Sequence, residues 1–211
     1  MTDPETHARR LAADDPAGWF ERLYVEAEQG DAVVPWDLGD PNRLLEPWAR
    51  DLDGTGRRAL VVGCGLGRDS EFIARRRFDT VAFDVSATAV EAARRRHPGS
   101  PVRYVRADLL APPAEWHRAF DLVVESMTVQ ALPEGLHGQA ISQVSRFVAP
   151  GGTLLVIALG YSDVLDGGPP WPLSRAEIDA FAADGLTTVR VEDLAEGDVH
   201  RWRAEFRLAL T

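Results

Sequence analysis

Short apolar runs that alternate with helical patterns dominate the chain from residue 58 onward, and this order constrains the fold more than any other feature of the sequence. The runs lie at 58–63, 80–84, 102–106, 120–125 and 153–159. Each run has the length of a buried strand, and the segments between the runs have the pattern of crossover helices. The alternation therefore predicts an α/β fold with a mostly parallel sheet that is covered by helices on both faces.

Helix start and stop signals support this assignment. We predict helices at 68–77, 86–97, 135–148 and 174–184. Ser86 stands where an N-cap is expected, and Ser174 with Glu177 three positions later has the pattern of a capping box. A Pro-Gly-Gly turn at 150–152 ends the third helix, and Gly185 ends the fourth. The helices therefore fall between or after the predicted strands, as the α/β order requires.

The end of the chain has a different pattern. Residues 187–194 and 199–210 alternate between apolar and polar side chains, and a turn-forming triplet at 196–198 separates them. This arrangement predicts an antiparallel hairpin after the five parallel strands. One domain accounts for the 211 residues. It comprises a core at 58–211 and a helical segment at 1–57, which we predict to be a lid or cap of the same domain.

The composition excludes several classes of protein. A formal net charge of −10 argues against DNA or RNA as partners, because lysine and arginine supply most of the affinity for phosphate backbones. Basic runs at 75–77 and 94–96 each close a helical stretch, where the helix dipole favours cations. The longest apolar stretch, 153–159, is too short to cross a membrane, and the first residues lack the apolar run of a signal peptide. We therefore expect a cytoplasmic protein with no membrane and no nucleic-acid partner, and its oligomeric state is left open.

Possible metal ligands are few and scattered. The single cysteine, Cys64, excludes an internal disulfide and makes a cysteine-based metal site implausible. His117, His137 and His200 lie on different elements without the spacing of metal ligands. We expect surface positions for these histidines and no metal site.

Three glycines follow the first predicted strand and precede a helix. Gly63, Gly65 and Gly67 permit a tight turn and close approach of the backbone to a ligand. Dinucleotide-binding loops have the pattern G-x-G-x-x-G, but Arg68 occupies the position of the third glycine. An NAD(P)-linked oxidoreductase is therefore the less favoured alternative, since the chain also lacks a Ser/Tyr-x-x-x-Lys catalytic set. Cys64, inside the loop, is predicted to pack as a small apolar residue.

Acidic residues end or follow the second and third strands. Asp84 ends the second strand, and its two carboxylate oxygens can accept hydrogen bonds from both hydroxyls of a ribose. The alternative role of capping the next turn fits Ser86 better. Asp108, followed by Leu109, comes directly after the third strand. Because the carboxyl ends of parallel strands meet at one edge of a sheet, the glycine loop and both aspartates are predicted to share one ligand site.

In their order along the chain, these elements and the turn at 150–152 resemble the class I S-adenosylmethionine (SAM)-dependent methyltransferases. The resemblance implies a Rossmann-like sheet of seven strands, with the last strand antiparallel between the fifth and sixth, and SAM as the cofactor. It also implies that Asp84 binds the ribose, that Asp108 accepts a hydrogen bond from the adenine amino group and that Leu109 covers the ring. The cofactor-binding residues implied in this way are Gly63, Cys64, Gly65, Gly67, Asp84, Val85, Asp108, Leu109 and Glu125.

Two further segments resemble the thiopurine S-methyltransferase-like group, which includes thiol and halide methyltransferases. The first begins at Trp19 and continues to Pro-Trp-Asp-Leu-Gly at 35–39, and the second is Gly-Pro-Pro-Trp at 168–171, before a helix that contains Glu177. The chain departs from the drug-methylating members by placing the second aromatic of the first motif at Tyr24 and by having Trp-Asp where they have Phe-His. The resemblance implies methyl transfer by SN2 displacement to a small-molecule acceptor, with sulfur favoured over oxygen or nitrogen and the acceptor itself left open.

The resemblance also indicates which residues face the acceptor. Glu125 ends the fourth strand, where class I enzymes address the acceptor and the methyl group of SAM. Its carboxylate can remove a proton, favour the sulfonium electrostatically or only accept hydrogen bonds. Trp36 and Asp37 are predicted to complete the catalytic pocket, although Trp36 also fits a packing role between helices. The predicted substrate-binding residues are Trp36, Gln130, Tyr161 and Trp171. A non-catalytic SAM-binding protein is a further alternative.

Overall fold

A seven-stranded sheet forms the centre of the computed structural model, which describes residues 3–15, 18–160, 168–195 and 199–210. The strands are β1 (Arg58–Val62), β2 (Asp79–Asp84), β3 (Arg103–Arg106), β4 (Phe120–Ser126), β5 (Val148–Leu159), β6 (Leu186–Asp193) and β7 (Arg201–Leu208). Their order is β3-β2-β1-β4-β5-β7-β6, and β7 pairs antiparallel with both β5 and β6 while the other pairs are parallel. The predicted Rossmann-like sheet with an antiparallel C-terminal hairpin is confirmed. The predicted turn at 196–198 lies outside the described residues.

Helices connect and cover the strands. The α-helices of the described residues are α1 (Pro4–Asp14), α2 (Trp19–Glu28), α3 (Leu45–Ala49), α4 (Arg68–Ala74), α5 (Ala87–Arg96), α6 (Glu134–Arg146) and α7 (Arg175–Ala180), and short 3-10 helices lie at Ala114–Trp116 and Val129–Ala131. The predicted caps are confirmed, because Ser86 accepts a hydrogen bond from the amide of Ala89, and Ser174 with Glu177 forms the capping box. Helix α4 ends earlier than predicted, and the basic run that follows it reaches a left-handed backbone at Arg77, with φ of 68°. No helix in the described part of the chain is long and apolar enough to span a membrane.

The Pro-Gly-Gly turn was predicted to precede β5, but in the structure it lies within that strand. Val148 pairs with Phe120 and Thr153 pairs with Leu122, so residues 149–152 form an irregularity opposite a single residue of β4. The turn remains in place because Gly151 adopts a φ of 78°, a conformation that other residues rarely take. The strand therefore starts five residues earlier than its apolar run, since backbone pairing begins before the bulge.

Both faces of the sheet are buried. Along β1, Leu60 and Val62 belong to one apolar cluster, while Ala59 and Val61 belong to a second cluster on the opposite face. Helices α6 and α7 contribute to the first cluster, and α3, α4 and α5 contribute to the second. This double burial explains the continuous apolar runs of the inner strands. It also leaves the loops at the carboxyl edge of the parallel strands as the place for a ligand.

The N-terminal segment divides into two parts. Leu45 and Ala49 of α3 are buried in the second core cluster, so this helix belongs to the main body of the protein. Helices α1 and α2 instead pack on each other around a small cluster of their own that includes Leu11, Trp19 and Leu23. The predicted lid role of residues 1–57 therefore concerns α1, α2 and the loop that follows them, and it stays a prediction.

Candidate functional site

The glycine loop between β1 and α4 has a left-handed backbone at each of its three glycines. The φ angles are 60° at Gly63, 49° at Gly65 and 91° at Gly67. A side chain at Gly65 would place its first carbon 2.9 Å from the hydroxyl oxygen of Tyr24. The loop needs glycine for its backbone conformation and for this close approach. Cys64 is buried in the second core cluster, which agrees with its predicted packing, and burial raises the pKa of its thiol well above the usual range. Its predicted contact with the cofactor stays a prediction.

Asp84 joins the end of β2 to the glycine loop. Its Oδ2 accepts a hydrogen bond from the amide of Gly65 at 2.9 Å, and its Oδ1 accepts one from the amide of Ser86 at 3.0 Å. Burial raises the pKa of this carboxyl, and the amide donors oppose that shift. Each oxygen retains acceptor capacity beyond its single amide donor, which is what two ribose hydroxyls require. Val85, the next residue, is 40% exposed beside this carboxylate.

The loop after β3 lies next to the end of β2. Arg106, the last residue of β3, pairs with Asp84 in the parallel register. Asp108 is exposed, and its Oδ1 accepts a hydrogen bond from the amide of Leu110 at 2.8 Å. Leu109 is buried and packs in the first core cluster. The structure thus brings the two predicted aspartate loops together at one edge of the sheet, and the adenine contacts of Asp108 and Leu109 stay predictions.

Glu125 is fully buried at the end of β4. Its Oε1 accepts hydrogen bonds from the amides of Thr128, at 2.7 Å, and Val129, at 2.9 Å. Its Oε2 is buried without a hydrogen-bond partner among the described residues, and burial raises the pKa of the carboxyl to about 7. The side chain therefore caps the turn after β4. Its predicted role near the methyl group stays a prediction.

Gln130 connects three segments that border the predicted acceptor side. Its Oε1 accepts a hydrogen bond from the amide of Leu159, at the end of β5, at 2.5 Å. The main-chain carbonyl of Gln130 accepts a hydrogen bond from the amide of Trp171 at 2.7 Å. Gln130 is 3% exposed, so the structure places it behind this surface. Tyr161, the other predicted substrate contact in this region, lies outside the described residues.

Two aromatic residues of the N-terminal segment reach the glycine loop. The indole Nε1 of Trp36 donates a hydrogen bond to the hydroxyl of Tyr24 at 3.0 Å, and Tyr24 is buried against Gly65. The Trp36 ring also packs edge-on against Trp19, with the ring centroids 5.9 Å apart. Trp36 nevertheless keeps 36% exposure. It therefore both packs between elements and borders the candidate site, and sequence reasoning missed the place of Tyr24 beside the loop.

Asp37 binds arginines of α4 and α5. Its two carboxylate oxygens accept hydrogen bonds from Arg96, both at 2.9 Å, and Oδ1 lies 3.6 Å from Nε of Arg68. Hydrogen bonds from Arg96 hold the pKa of Asp37 below its usual range, against the opposing effect of burial. The basic run at 94–96 was predicted only as a set of helix-end cations. The structure adds that it holds the N-terminal segment, while the predicted catalytic role of Asp37 stays untested.

Further contacts of the N-terminal segment were not predicted. Glu21 accepts hydrogen bonds from the hydroxyls of Ser86 and Thr88, both at 2.6 Å, which joins α2 to the start of α5. Arg9 of α1 donates a hydrogen bond to the carbonyl of Pro169 at 3.4 Å. The segment therefore crosses the carboxyl edge of the sheet, from the β2 side to the loop after β5. Local sequence patterns carry no signal for such contacts, because the partners lie far apart in the chain.

His137 is not at the surface, contrary to prediction. It is 2% exposed on α6, with Nδ1 2.6 Å from Oε1 of Glu177 and Nε2 2.9 Å from the carbonyl oxygen of Leu132. Its spacing from Ile141 and Val144 places it on the buried face of the helix. The helical periodicity of these residues is a signal that could have identified its burial. His117 is exposed, as predicted.

Comparison with known proteins agrees with this geometry. Residues 59–152 match a family model described as a methyltransferase domain. The chain is 28% identical over 172 residues to a probable thiol methyltransferase 2 from Arabidopsis thaliana, covering 81% of this chain and 74% of the relative. It is 22% identical over 182 residues to a thiopurine S-methyltransferase from Vibrio atlanticus, covering 78% and 82% of the two chains. The N-methyltransferase NodS from Bradyrhizobium japonicum, in complex with S-adenosyl-L-homocysteine, has the same fold, with a TM-score of 0.66 at 20% identity over 89% of this chain and 98% of NodS.

The sheet topology, the glycine loop at its carboxyl edge and these similarities define a class I SAM-dependent methyltransferase, an enzyme whose cofactor is SAM. The matches to the thiol and thiopurine enzymes cover most of both chains in each case. Within its class, the chain is similar to the thiopurine S-methyltransferase-like group.

Proposed function

We propose that this enzyme transfers the methyl group of SAM to the sulfur atom of a small-molecule acceptor. The similarity to a thiol methyltransferase and a thiopurine S-methyltransferase carries this proposal, because the matches extend over 74% and 82% of those proteins and not only over a cofactor-binding core. The net charge of −10 supports a small acceptor over a nucleic acid. A cytoplasmic location stays a prediction, which rests on the short apolar stretches and on first residues that lack the pattern of a signal peptide.

The chemistry of the carboxyl edge fits SAM. Asp84 supplies carboxylate oxygens for the ribose hydroxyls, and the left-handed loop around Gly65 allows the backbone to approach the cofactor closely. SAM supplies an electrophilic methyl group on a sulfonium, so the protein has to align the acceptor, exclude water and, for a neutral acceptor, remove a proton. We assign Asp108 to the adenine amino group and Trp36 to the border of the acceptor pocket.

Glu125 is the candidate for proton removal. Its pKa of about 7 lies where a general base works at neutral pH, but its Oε1 is used by two backbone amides and the side chain is fully buried. A thiol acceptor that is already ionised needs no base. Single-turnover rates of wild type and Glu125→Gln, measured against pH, separate the two cases. A rate that follows the thiolate fraction of the acceptor equally in both proteins would exclude proton removal by Glu125.

The N-terminal segment is proposed as the lid of the site. Its contacts with Gly65 through Tyr24, with Ser86 through Glu21 and with Pro169 through Arg9 support this role, because they span the edge where SAM would bind. Closure over a sulfonium would exclude water and fix the geometry of attack.

An assay for release of S-adenosylhomocysteine (SAH) tests the sulfur specificity. Thiophenol, phenol and aniline share one ring and differ only in the heteroatom, so they form a matched acceptor panel. We expect the highest kcat/KM with thiophenol and formation of methyl phenyl sulfide, with Asp84→Ala as a weakened control. Faster turnover of phenol or aniline would overturn the assignment to sulfur. Calorimetric binding of NAD without binding of SAM would overturn the whole proposal.

A further inference from the structure

The first two residues of α4 follow the glycine loop directly and both bind the segment at 36–42. Arg68 donates a hydrogen bond through Nη1 to the carbonyl of Asp40 at 2.7 Å, and its guanidinium also donates to the carbonyl of Trp36. Its Nε lies 3.6 Å from Oδ1 of Asp37. A planar guanidinium can serve several acceptors in one geometry, which suits this arrangement. One side chain thus holds three positions of the segment.

Asp69 extends these contacts to the end of β4. Its Oδ1 accepts a hydrogen bond from the amide of Asn42 at 2.7 Å, and its carboxylate is also hydrogen bonded to Ser126. The side-chain amide of Asn42 donates to Oγ of Ser126 at 3.1 Å. The helix dipole alone is enough to favour an acidic residue in the first turn of a helix. Asp69 instead makes contacts with residues that are 27 and 57 positions away in the sequence.

These contacts have a direct effect on the aromatic residues beside the glycine loop. Arg68 holds the carbonyl of Trp36, and the indole of the same residue donates to Tyr24, which packs on Gly65. The loop, the 36–42 segment and the end of β4 are therefore joined through two consecutive side chains. The bonds lie on the side of the loop where Tyr24 and Trp36 border the candidate site.

We propose that Arg68 and Asp69 are positioning residues that hold Tyr24 and Trp36 against the cofactor loop. They act through the 36–42 segment and do not themselves touch the reacting atoms. This inference rests on the proposed function, since it takes the glycine loop as the SAM site. It assigns a role to Arg68 that a glycine at the same position of a dinucleotide-binding loop does not have.

Substitutions at Asp69 separate positioning from simple helix stabilisation. Asp69→Ala removes the acceptor for Asn42, whereas Asp69→Asn keeps an oxygen in its place. We expect the dissociation constant for SAH to rise about ten-fold or more in Asp69→Ala, because the contacts with both Asn42 and Ser126 are lost, and to stay within about two-fold of wild type in Asp69→Asn. Asp53→Ala is a control for the loss of a carboxylate away from the site, because Asp53, like Asp69, accepts a hydrogen bond from a backbone amide, but it is exposed and precedes β1 at the opposite edge of the sheet.

Isothermal titration with SAH and hydrogen exchange on the ligand-free full-length proteins form the experiment. Asp69→Ala and Arg68→Ala should exchange faster at residues 36–42 than wild type, and Arg146→Ala, which breaks an ion pair at the far end of α6, should not. Wild-type SAH affinity in Asp69→Ala, unchanged exchange at 36–42, or failure of Asp69→Asn to restore binding would overturn the inference. If wild type binds neither SAM nor SAH, the proposed function fails, and the exchange data alone still test whether the two residues hold the segment.

Discussion

Replacing Glu125 by glutamine removes a buried ionisable group and nearly preserves its shape. The glutamine oxygen can accept from the amides of Thr128 and Val129, as Oε1 does in the wild type. The group that changes is the one at Oε2, which has no partner among the described residues. The variant therefore isolates the cost of ionising a carboxyl at this position.

The size of this cost in free energy of unfolding follows from the pKa of Glu125, which burial raises from an ordinary 4.5 to about 7. The folded state binds the proton more tightly than the unfolded state, so the contribution to stability is complete below pH 4.5 and is lost as the pH rises through 7. One pKa unit corresponds to about 1.4 kcal/mol. Integration of the two titrations gives a loss of roughly 2.5 kcal/mol between pH 5 and pH 8, most of it before pH 7.

Urea unfolding of ligand-free wild type and Glu125→Gln at pH 5, 6, 7 and 8 measures this loss. Other titrating groups are common to both proteins and cancel in the difference between their free energies of unfolding. Between pH 5 and pH 8, we expect the free energy of unfolding of the variant to rise relative to that of the wild type by roughly 2.5 kcal/mol, whichever protein is more stable at pH 5. A difference that stays constant with pH would refute the argument, because it would mean that Glu125 ionises in the folded state as easily as in water.

Three further predictions concern the ligands. Asp84→Ala should weaken SAH binding by roughly 1.5–3 kcal/mol in calorimetry, since it removes charged acceptors, and unchanged affinity would exclude a role at the ribose. Gln130→Leu should raise the KM for thiophenol while the dissociation constant for SAM stays the same, because it removes the side-chain acceptor of the Leu159 amide behind the acceptor surface; a weakened SAM affinity with unchanged KM would contradict this. Residues 19–39 should become protected from hydrogen exchange when SAH is added, and Trp36→Ala should lose activity. Equal exchange with and without SAH, together with full activity of that variant, would leave the lid without support.

Local signals predicted most of the fold. Apolar runs located the strands because both faces of the sheet are buried, and the caps at Ser86 and Ser174 were visible because a cap depends on residues only a few positions apart. The glycine loop was equally readable, since its backbone angles are ones that few other residues adopt. The start of β5 was missed because pairing across a bulge depends on the neighbouring strand and not on the apolar run.

Contacts between distant segments were beyond local reasoning. The bond between Glu21 and Ser86 joins residues 65 positions apart, and the pair of Asp37 and Arg96 joins residues 59 positions apart. An arginine at a helix end interacts favourably with the helix dipole whether or not it has a second partner. The helix dipole therefore already explained the basic run at 94–96, and nothing in the sequence pointed to the contact with Asp37. The position of Gln130 shortly after β4 was readable from local signals, but the orientation of its side chain depends on the packing of two other loops.

The insertion of β7 between β5 and β6 has a consequence for synthesis on the ribosome. Strand β5 pairs with β4 on one side, but its other edge pairs with β7, which emerges from the ribosome more than forty residues later. Strand β6, in turn, joins the sheet only through β7. A nascent chain therefore completes the cofactor half of the sheet while β5 still has an unpaired edge, and such an edge can pair with other chains. The acceptor half is assembled last, when Trp202 of β7 donates its indole hydrogen bond to the carbonyl of Leu173.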